Sequence, residues 1–225
     1  MKKIIILTLF VLSQLTFSAS AEIGVNVGVS VQVGEAEASG TETENGTKSV
    51  QRTEAMLFGT GSFFIEKTLD FLPGPLERLT VGYDHVPHDI GTGMASNAKA
   101  DLKGKSTTSQ SVNNSVKAEF SDLNTLYLTL RITDFLYLKG GTVSVDATSQ
   151  EELGTGSSYG NASLDGEVYG IGLNHTADNG MFLRAEYNVM DIDGVTLTST
   201  TNSDNTVTLN GIDTESLKAS IGRSF

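Results

Sequence analysis

The sequence predicts an all-β fold, a closed, antiparallel, up-and-down barrel of eight strands crossing a membrane, and three observations predict it. Apolar residues recur at every second position along most of the chain. The polar stretches between those runs alternate in length, long then short. Beyond the first residues, no segment reaches the roughly 18 consecutive apolar residues of a transmembrane helix. The nearest helical candidate, "FIEKTLDFLPGPLERL", is broken by Pro-Gly-Pro at Pro73.

The N-terminal stretch "MKKIIILTLFVLSQLTFSASAE" stands apart from this pattern. Two lysines precede an apolar run from Ile4 to Leu15, and small residues close it at Ala19 to Ala21. This is the layout of a secretory signal peptide, with cleavage expected near Ala21 and residues 22–225 forming the barrel domain. The apolar run is too short for a spanning helix. Losing Lys2 and Lys3 takes the formal net charge from −12 to −14. So acidic a chain, with no basic patch, is a poor nucleic-acid binder. It has no Cys, so disulfides do not hold it, and neither cofactor nor metal is expected.

The first strand is the clearest. In "EIGVNVGVSVQVG", Ile23, Val25, Val27, Val29, Val31 and Val33 fall on one face. Gly24, Asn26, Gly28, Ser30, Gln32 and Gly34 fall on the other. Similar runs place strands near 23–35, 53–66, 77–87, 115–132, 135–148, 162–175, 181–194 and 212–225. Long polar connections follow the odd strands; the longest runs from about His88 to Asn114. Short turns follow the even strands, at Pro73 to Pro75, at Thr133-Asp134 and at "TADNG" ending on Gly180. In an up-and-down sheet this puts every long loop at one end. Outer-membrane barrels segregate their connections this way, with short periplasmic turns and longer extracellular loops. Lipid enforces closure, because an open sheet edge would leave backbone groups unsatisfied.

The alternating last strand ends "SLKASIGRSF" on Phe225. With that ending and the segregated loops, the chain resembles the small eight-stranded bacterial outer-membrane β-barrel proteins of the OmpA and OmpX type. The resemblance implies location in the bacterial outer membrane, contact with lipid and lipopolysaccharide, and handling by periplasmic chaperones and the barrel-assembly machinery. It implies that Phe225 is the assembly signal. Two departures are the absence of Trp and the presence of Arg223 where the family often has an aromatic. Phe63, Phe64, Phe71, Phe135, Tyr137, Phe182 and Phe225 are read as the periplasmic girdle, with Phe120 and Phe58 at the other end.

Alternation also assigns the inside. Arg184 and Glu186 on strand seven, Arg131 on strand four, Asp84 on strand three and Lys218 on strand eight are predicted to face inward. A change of phase at Gly140-Gly141, read as a bulge, places Lys139 inside with Thr142 and Ser144. Strands two and six are ambiguous, and Glu167 fits either face. Eight strands enclose only enough room for side chains to fill, so these charges must pair or be hydrated. A plugged lumen follows, with exposed chemistry confined to the loops.

One dense titratable cluster occurs, "DHVPHD", with Asp84, His85, His88 and Asp89. Two His and two Asp suit a metal ion or an acid–base pair, and the resemblance includes lipid-modifying outer-membrane enzymes. The plainer alternative is an interfacial loop with incidental histidines. "DIDG" at Asp191 to Gly194 lacks the rest of a calcium loop. The acidic stretches Glu35 to Glu44, Glu151-Glu152 and Asp191 to Asp204 read as solvated loops. The expected function is a non-enzymatic barrel, structural or contacting a surface ligand or phage through four loops. The alternatives are a small porin, a lipid-modifying enzyme, and a secreted soluble β-protein.

Overall fold

The computed structural model describes residues 24–44, 46–49, 51–92, 95–102, 108–153 and 156–225. The expected leader and its cleavage near Ala21 lie outside them. Eight long strands form the wall: β1 (Val25–Glu44), β2 (Arg52–Thr68), β3 (Leu79–His85), β4 (Ser109–Arg131), β5 (Leu136–Leu153), β6 (Ala162–Thr176), β7 (Met181–Thr198) and β8 (Thr206–Ser224). Each pairs antiparallel with its sequence neighbour, and β8 pairs with β1, so the sheet closes on itself. The Val25 and Phe225 amides each donate to the other residue's carbonyl at this seam. A 3-10 turn at Gly74–Arg78 links β2 to β3.

The register fixes the size of the barrel. Cross-strand partners lead from Glu35 through Glu215, Val189, Tyr169, Gly140, Leu128, Val81 and Lys67 back to Val25. One circuit therefore returns to β1 ten residues nearer its start. A stagger of that size tilts the strands, by about 35–45° in barrels of this kind, and leaves a bore that side chains fill.

Outside, Val31, Val33, Phe63, Ile65, Leu126, Leu128, Leu130, Leu138, Ile171, Leu173, Leu183, Leu217 and Ile221 are exposed. Their alternate neighbours are polar and buried: Ser30, Gln32, Ser62, Glu66, Thr125, Thr129, Lys139, Glu186, Ser216 and Lys218. This is a membrane protein's sidedness, apolar outward and polar inward.

Further along the strands the sidedness reverses. Glu35, Glu37, Glu167, Asp191, Asp193, Asp213 and Glu215 are exposed on the outer face. Val143, Val145, Leu164, Val168, Met190, Ile192 and Ile212 pack together inside, flanked by Ala36, Ala38, Phe120, Leu123 and Leu209. That arrangement belongs in water. The same period-two strands thus leave the bilayer and continue as a water-facing barrel with an apolar core.

This reversal corrects several expectations. Strands β1, β4, β5, β7 and β8 run well past their expected outer ends, so Glu35 to Glu44 is strand and not loop. The stretch expected as the longest loop carries strands Ile90–Gly91 and Ala95–Leu102. The outer ends of β1, β7 and β8 carry outward residues such as Glu37, Asp193 and Asp213, which resemble loop composition. There is no bulge at Gly140-Gly141: the ladders on both sides of β5 run through it unshifted. Thr142 and Ser144 therefore face out, and Val143 and Val145 face in. The irregularity lies across from β5, between Ser121 and Asn124 on β4, where Asp122 has φ 51°. Of the expected girdle, Phe63, Phe71 and Phe135 are exposed, whereas Phe64, Tyr137 and Phe182 are buried inside the barrel.

The outer carboxylates stand in register. Glu37 is opposite Asp213, Asp213 opposite Asp191, and Asp191 opposite Glu167. Like charges directly across a ladder are destabilising by roughly 0.2–1 kcal/mol per pair. Asp213→Asn, which relieves two such pairs, is expected to stabilise the folded barrel by about twice that amount. Urea unfolding at low salt measures it, and the gain should shrink in high salt.

Candidate functional site

The charged residues inside the membrane-spanning part form a layered bolt across the bore. At its periplasmic end the Arg184 guanidinium donates through Nη1 and Nη2 to the two Glu66 oxygens, at 2.6 and 2.7 Å. Its Nε donates to Asn174 Oδ1 at 3.0 Å. Tyr127 Oη donates to Glu66 Oε1 (2.9 Å), and Asn26 Nδ2 to Oε2 (3.1 Å). The fork is the strong, planar form of an ion pair, and its carboxylate accepts four hydrogen bonds. The guanidinium also sits against aromatic rings, 4.4 Å from the Phe182 centroid and 5.5 Å from that of Phe64. Desolvated cation–π contacts of this kind add about 2 kcal/mol or more each.

Four glycines make room for this packing. Phe64, Tyr127, Tyr137 and Phe182 lie opposite Gly28, Gly82, Gly172 and Gly222. A β-carbon on any of these glycines would come within 2.4 Å of the facing ring. Large aromatics fill the narrow bore only because the neighbouring strand contributes no side chain there.

Toward the outer end, Lys218 Nζ donates to Asp84 Oδ2 at 2.5 Å, and Ser62 Oγ donates to the same oxygen at 3.0 Å. Lys139 Nζ lies 3.6 Å from Glu186 Oε1 and 4.3 Å from the Tyr127 ring centroid. All four charged groups are buried. Above them sits Asn188, 1% exposed, whose side-chain amide has no hydrogen-bond partner among the described residues. Thr214 Oγ1, one ladder step further out, has none either. The apolar core follows, with Val168 fully buried.

Of the six charges expected inside, Asp84, Lys139, Glu186 and Lys218 pair in the middle of the bore, and Arg184 lies beneath them. Arg131 is exposed at the periplasmic mouth, where it lines a polar vestibule of about 730 Å³ with Thr129, Asn174, Tyr137 and Arg184. Glu66, which binds Arg184, is absent from the expected set. The adjacent Phe63 and Phe64 obscure the phase of β2; the outward parity of Ile65 is the signal that places Glu66 inside. On β6, Glu167 is exposed and accepts a hydrogen bond from Tyr169 Oη at 2.5 Å.

The "DHVPHD" residues do not converge. Asp84 points into the bore toward Lys218. His85, its neighbour on the strand, faces outward, with Nδ1 2.7 Å from Asn124 Oδ1 and its ring edge-on to Phe63. His88 Nε2 accepts the Gly61 amide at 3.1 Å, so its proton resides on Nδ1, which donates to the Asp89 carbonyl at 3.3 Å. Asp89 is exposed. Among the described residues no group of three or more His, Asp or Glu is placed to hold a metal ion. Phe225 lies at the seam beside Arg223, whose guanidinium is 5.3 Å from its ring centroid.

No protein-family model matches the chain, and no curated protein matches it. Solved structures do. Ail, the attachment invasion locus protein of Yersinia pestis, is 14% identical, with 88% of this chain and 98% of that one covered and a TM-score of 0.34. The outer membrane protein OprG from Pseudomonas aeruginosa is 13% identical over 92% and 98%, with a TM-score of 0.42. The outer membrane protease OmpT from Escherichia coli is 9% identical over 93% and 99%, also at 0.42. The closed ring, the apolar belt and the polar bore identify the chain on its own geometry as an outer-membrane β-barrel.

Glu66→Ala should be the costliest single change in the bore, because it leaves the Arg184 charge buried without its partner. Removing one member of a buried pair costs about 3–5 kcal/mol. Asn188→Leu should do the opposite, raising stability by about 1–3 kcal/mol by removing an unsatisfied buried amide. Urea titration of the refolded barrel in lipid vesicles reads both changes.

Proposed function

We propose that this protein is a non-enzymatic outer-membrane barrel whose plugged bore serves as a scaffold, and that its working surface is the part standing outside the bilayer. The observation that carries the reading is the bolt. Arg184, Glu66, Lys139, Glu186, Lys218 and Asp84 cross the bore, and an apolar core fills the bore beyond them. The polar vestibule at the periplasmic end reaches Arg184. A hydrated solute would have to break a buried ion pair and then pass a dry core, which argues against a porin.

Lipid and lipopolysaccharide are the surroundings of the apolar belt. The carboxylate belt beyond it favours outside partners that carry positive charge. Phe225, hydrogen-bonded into the β1–β8 seam, suits an assembly signal read by the barrel-assembly machinery after delivery by periplasmic chaperones. Phage or another surface ligand would meet the chain at its outer end. The separation of Asp84, His85, His88 and Asp89 speaks against a lipid-modifying site.

Planar-bilayer recording of the refolded, heat-modifiable protein tests this reading. The expected result is no large, stable conductance. A steady open channel would overturn the plugged-bore reading in favour of the small porin. His85→Ala and His88→Ala are expected to leave the lipid A profile of the host membrane unchanged; a changed profile would revive the enzyme.

A further inference from the structure

Among the described residues the barrel wall is incomplete beside β2. β3 pairs with β2 only from Phe63 to Thr68. Above that point the chain turns toward β4: the Val86 amide donates to the Leu123 carbonyl, and Ile90–Gly91 pairs with Phe120 and Glu119. β2 continues outward from Ser62 to Arg52 with β1 as its only ladder partner among the described residues. His88, accepting the Gly61 amide, closes the base of the gap.

Strand parity fixes what this edge offers. The Thr68 amide donates toward β1, to the Gly24 carbonyl, whereas the Gly61 amide points away from β1. Thr53, Ala55, Leu57 and Gly59 share the parity of Gly61, so their amides and carbonyls line the free edge. Proteins usually guard such an edge with Pro, Lys or a bulge. From Thr53 to Gly59 there is no Pro or Lys, and the ladder to β1 is unshifted. Leu57 is 82% exposed beside this edge.

The surroundings define the ligand. Leu57 is opposite Glu35 and Ala55 opposite Glu37, both glutamates exposed on the outer face beyond the apolar belt. Asp213 and Glu215 lie one strand further on. On the inner side, Met56 and Phe58 are half-buried. A second copy of the chain is a poor occupant. Two upright barrels in one membrane would bring tilted β2 strands together crossed, not side by side.

We propose that the Thr53–Gly59 edge is a docking site for an extended peptide segment of an extracellular partner, which adds a strand to β2. Its basic residues would lie toward Glu35 and Glu37, and its alternate apolar residues toward Met56 and Phe58. The proposal rests on reading the outer end as the working surface, and it names the partner's chemistry.

The test uses the full barrel in detergent micelles and an acetylated, amidated octapeptide of alternating Lys and Val. The expected result is saturable binding that weakens with salt. Ala55→Pro removes an edge donor that β1 does not use, so the barrel should stay heat-modifiable while binding falls by about tenfold or more. The same peptide N-methylated at every residue keeps its charge but loses every N–H that a strand ladder uses, and should not bind the unaltered barrel; this arm stands even if Ala55→Pro does not fold. Equal binding by Ala55→Pro or by the N-methylated peptide would overturn strand addition in favour of simple charge attraction. Absence of binding to a heat-modifiable, non-conducting barrel would overturn the proposal and leave the scaffold reading intact. Dimers joined through Leu57→Cys would overturn it by giving the edge to a second copy.

Discussion

The Glu66 carboxylate is the point on which the rest of the bore depends. It lies on β2, and the groups that bind it come from β1, β4 and β7, through Asn26, Tyr127 and Arg184. Arg184 also donates to Asn174 on β6, so one network ties five strands across the interior. Around the wall, backbone ladders and side-chain bonds such as Ser30–Ser62 and Gln32–Ser216 hold each strand only to its neighbours. Contacts through the centre oppose collapse or shear of that wall, and they keep water from threading it. The buried charge has a cost, met here by bidentate geometry and four accepted hydrogen bonds. The aromatic rings around Arg184 need the facing glycines, and the Lys139 ammonium in turn sits over Tyr127. Removing Glu66 would disturb each of these contacts in sequence.

A second constraint acts along the strands. β1, β5, β6, β7 and β8 cross from hydrocarbon into water without breaking their alternation there, while β4 crosses through its irregularity between Ser121 and Asn124. Lipid asks for apolar residues outside and leaves polar ones to fill the bore. Water asks for the opposite. β5 shows both demands in one strand: Leu138 outward and Lys139 inward, then Ser144 outward and Val145 inward. The boundary runs near the Glu35–Glu215 pair, where Val33 and Leu217 give way to carboxylates. Asn188 lies at the inner counterpart of that boundary, between the ion pairs and the apolar core. The outer barrel is thereby a rigid platform, and the gap beside β2 is placed on it beyond the bilayer.

The alternation, the number of strands and the ring order were legible in the sequence because they rest on local patterns. Inward parity of Arg184 or Lys218 can be read from five neighbouring residues. Pairing cannot: Asp84 and Lys218 are joined only by closure of the ring, and Glu66 was hidden by two adjacent phenylalanines that blur the phase of β2. The outer strand halves were illegible for a different reason. Their Thr, Ser and Asp residues are those of loops, and only the small or apolar residues between them, such as Ala36, Ala38 and Leu209, mark a strand whose inside is dry. A phase shift at Gly140-Gly141 would keep the bore polar, with Thr142 and Ser144 inside beside Lys139. Once the inside is allowed to turn apolar, Val143 and Val145 fall inward with no bulge. The aromatic girdle was misread likewise, since Phe64, Tyr137 and Phe182 fill the bore.

One continuous sheet changes solvent near the Glu35–Glu215 pair. The chain has no cysteine, so a single introduced thiol reports one position. The outward row of β8 supplies the positions: Asp213→Cys and Glu215→Cys above the boundary, Leu217→Cys, Ala219→Cys and Ile221→Cys below it. The measurement is the labelling rate with a membrane-impermeant maleimide on barrels in lipid vesicles, with the outer end facing the reagent. Rapid labelling is expected at positions 213 and 215 and protection at 217, 219 and 221, lost when detergent replaces lipid. Uniform labelling along the row would contradict the change of solvent.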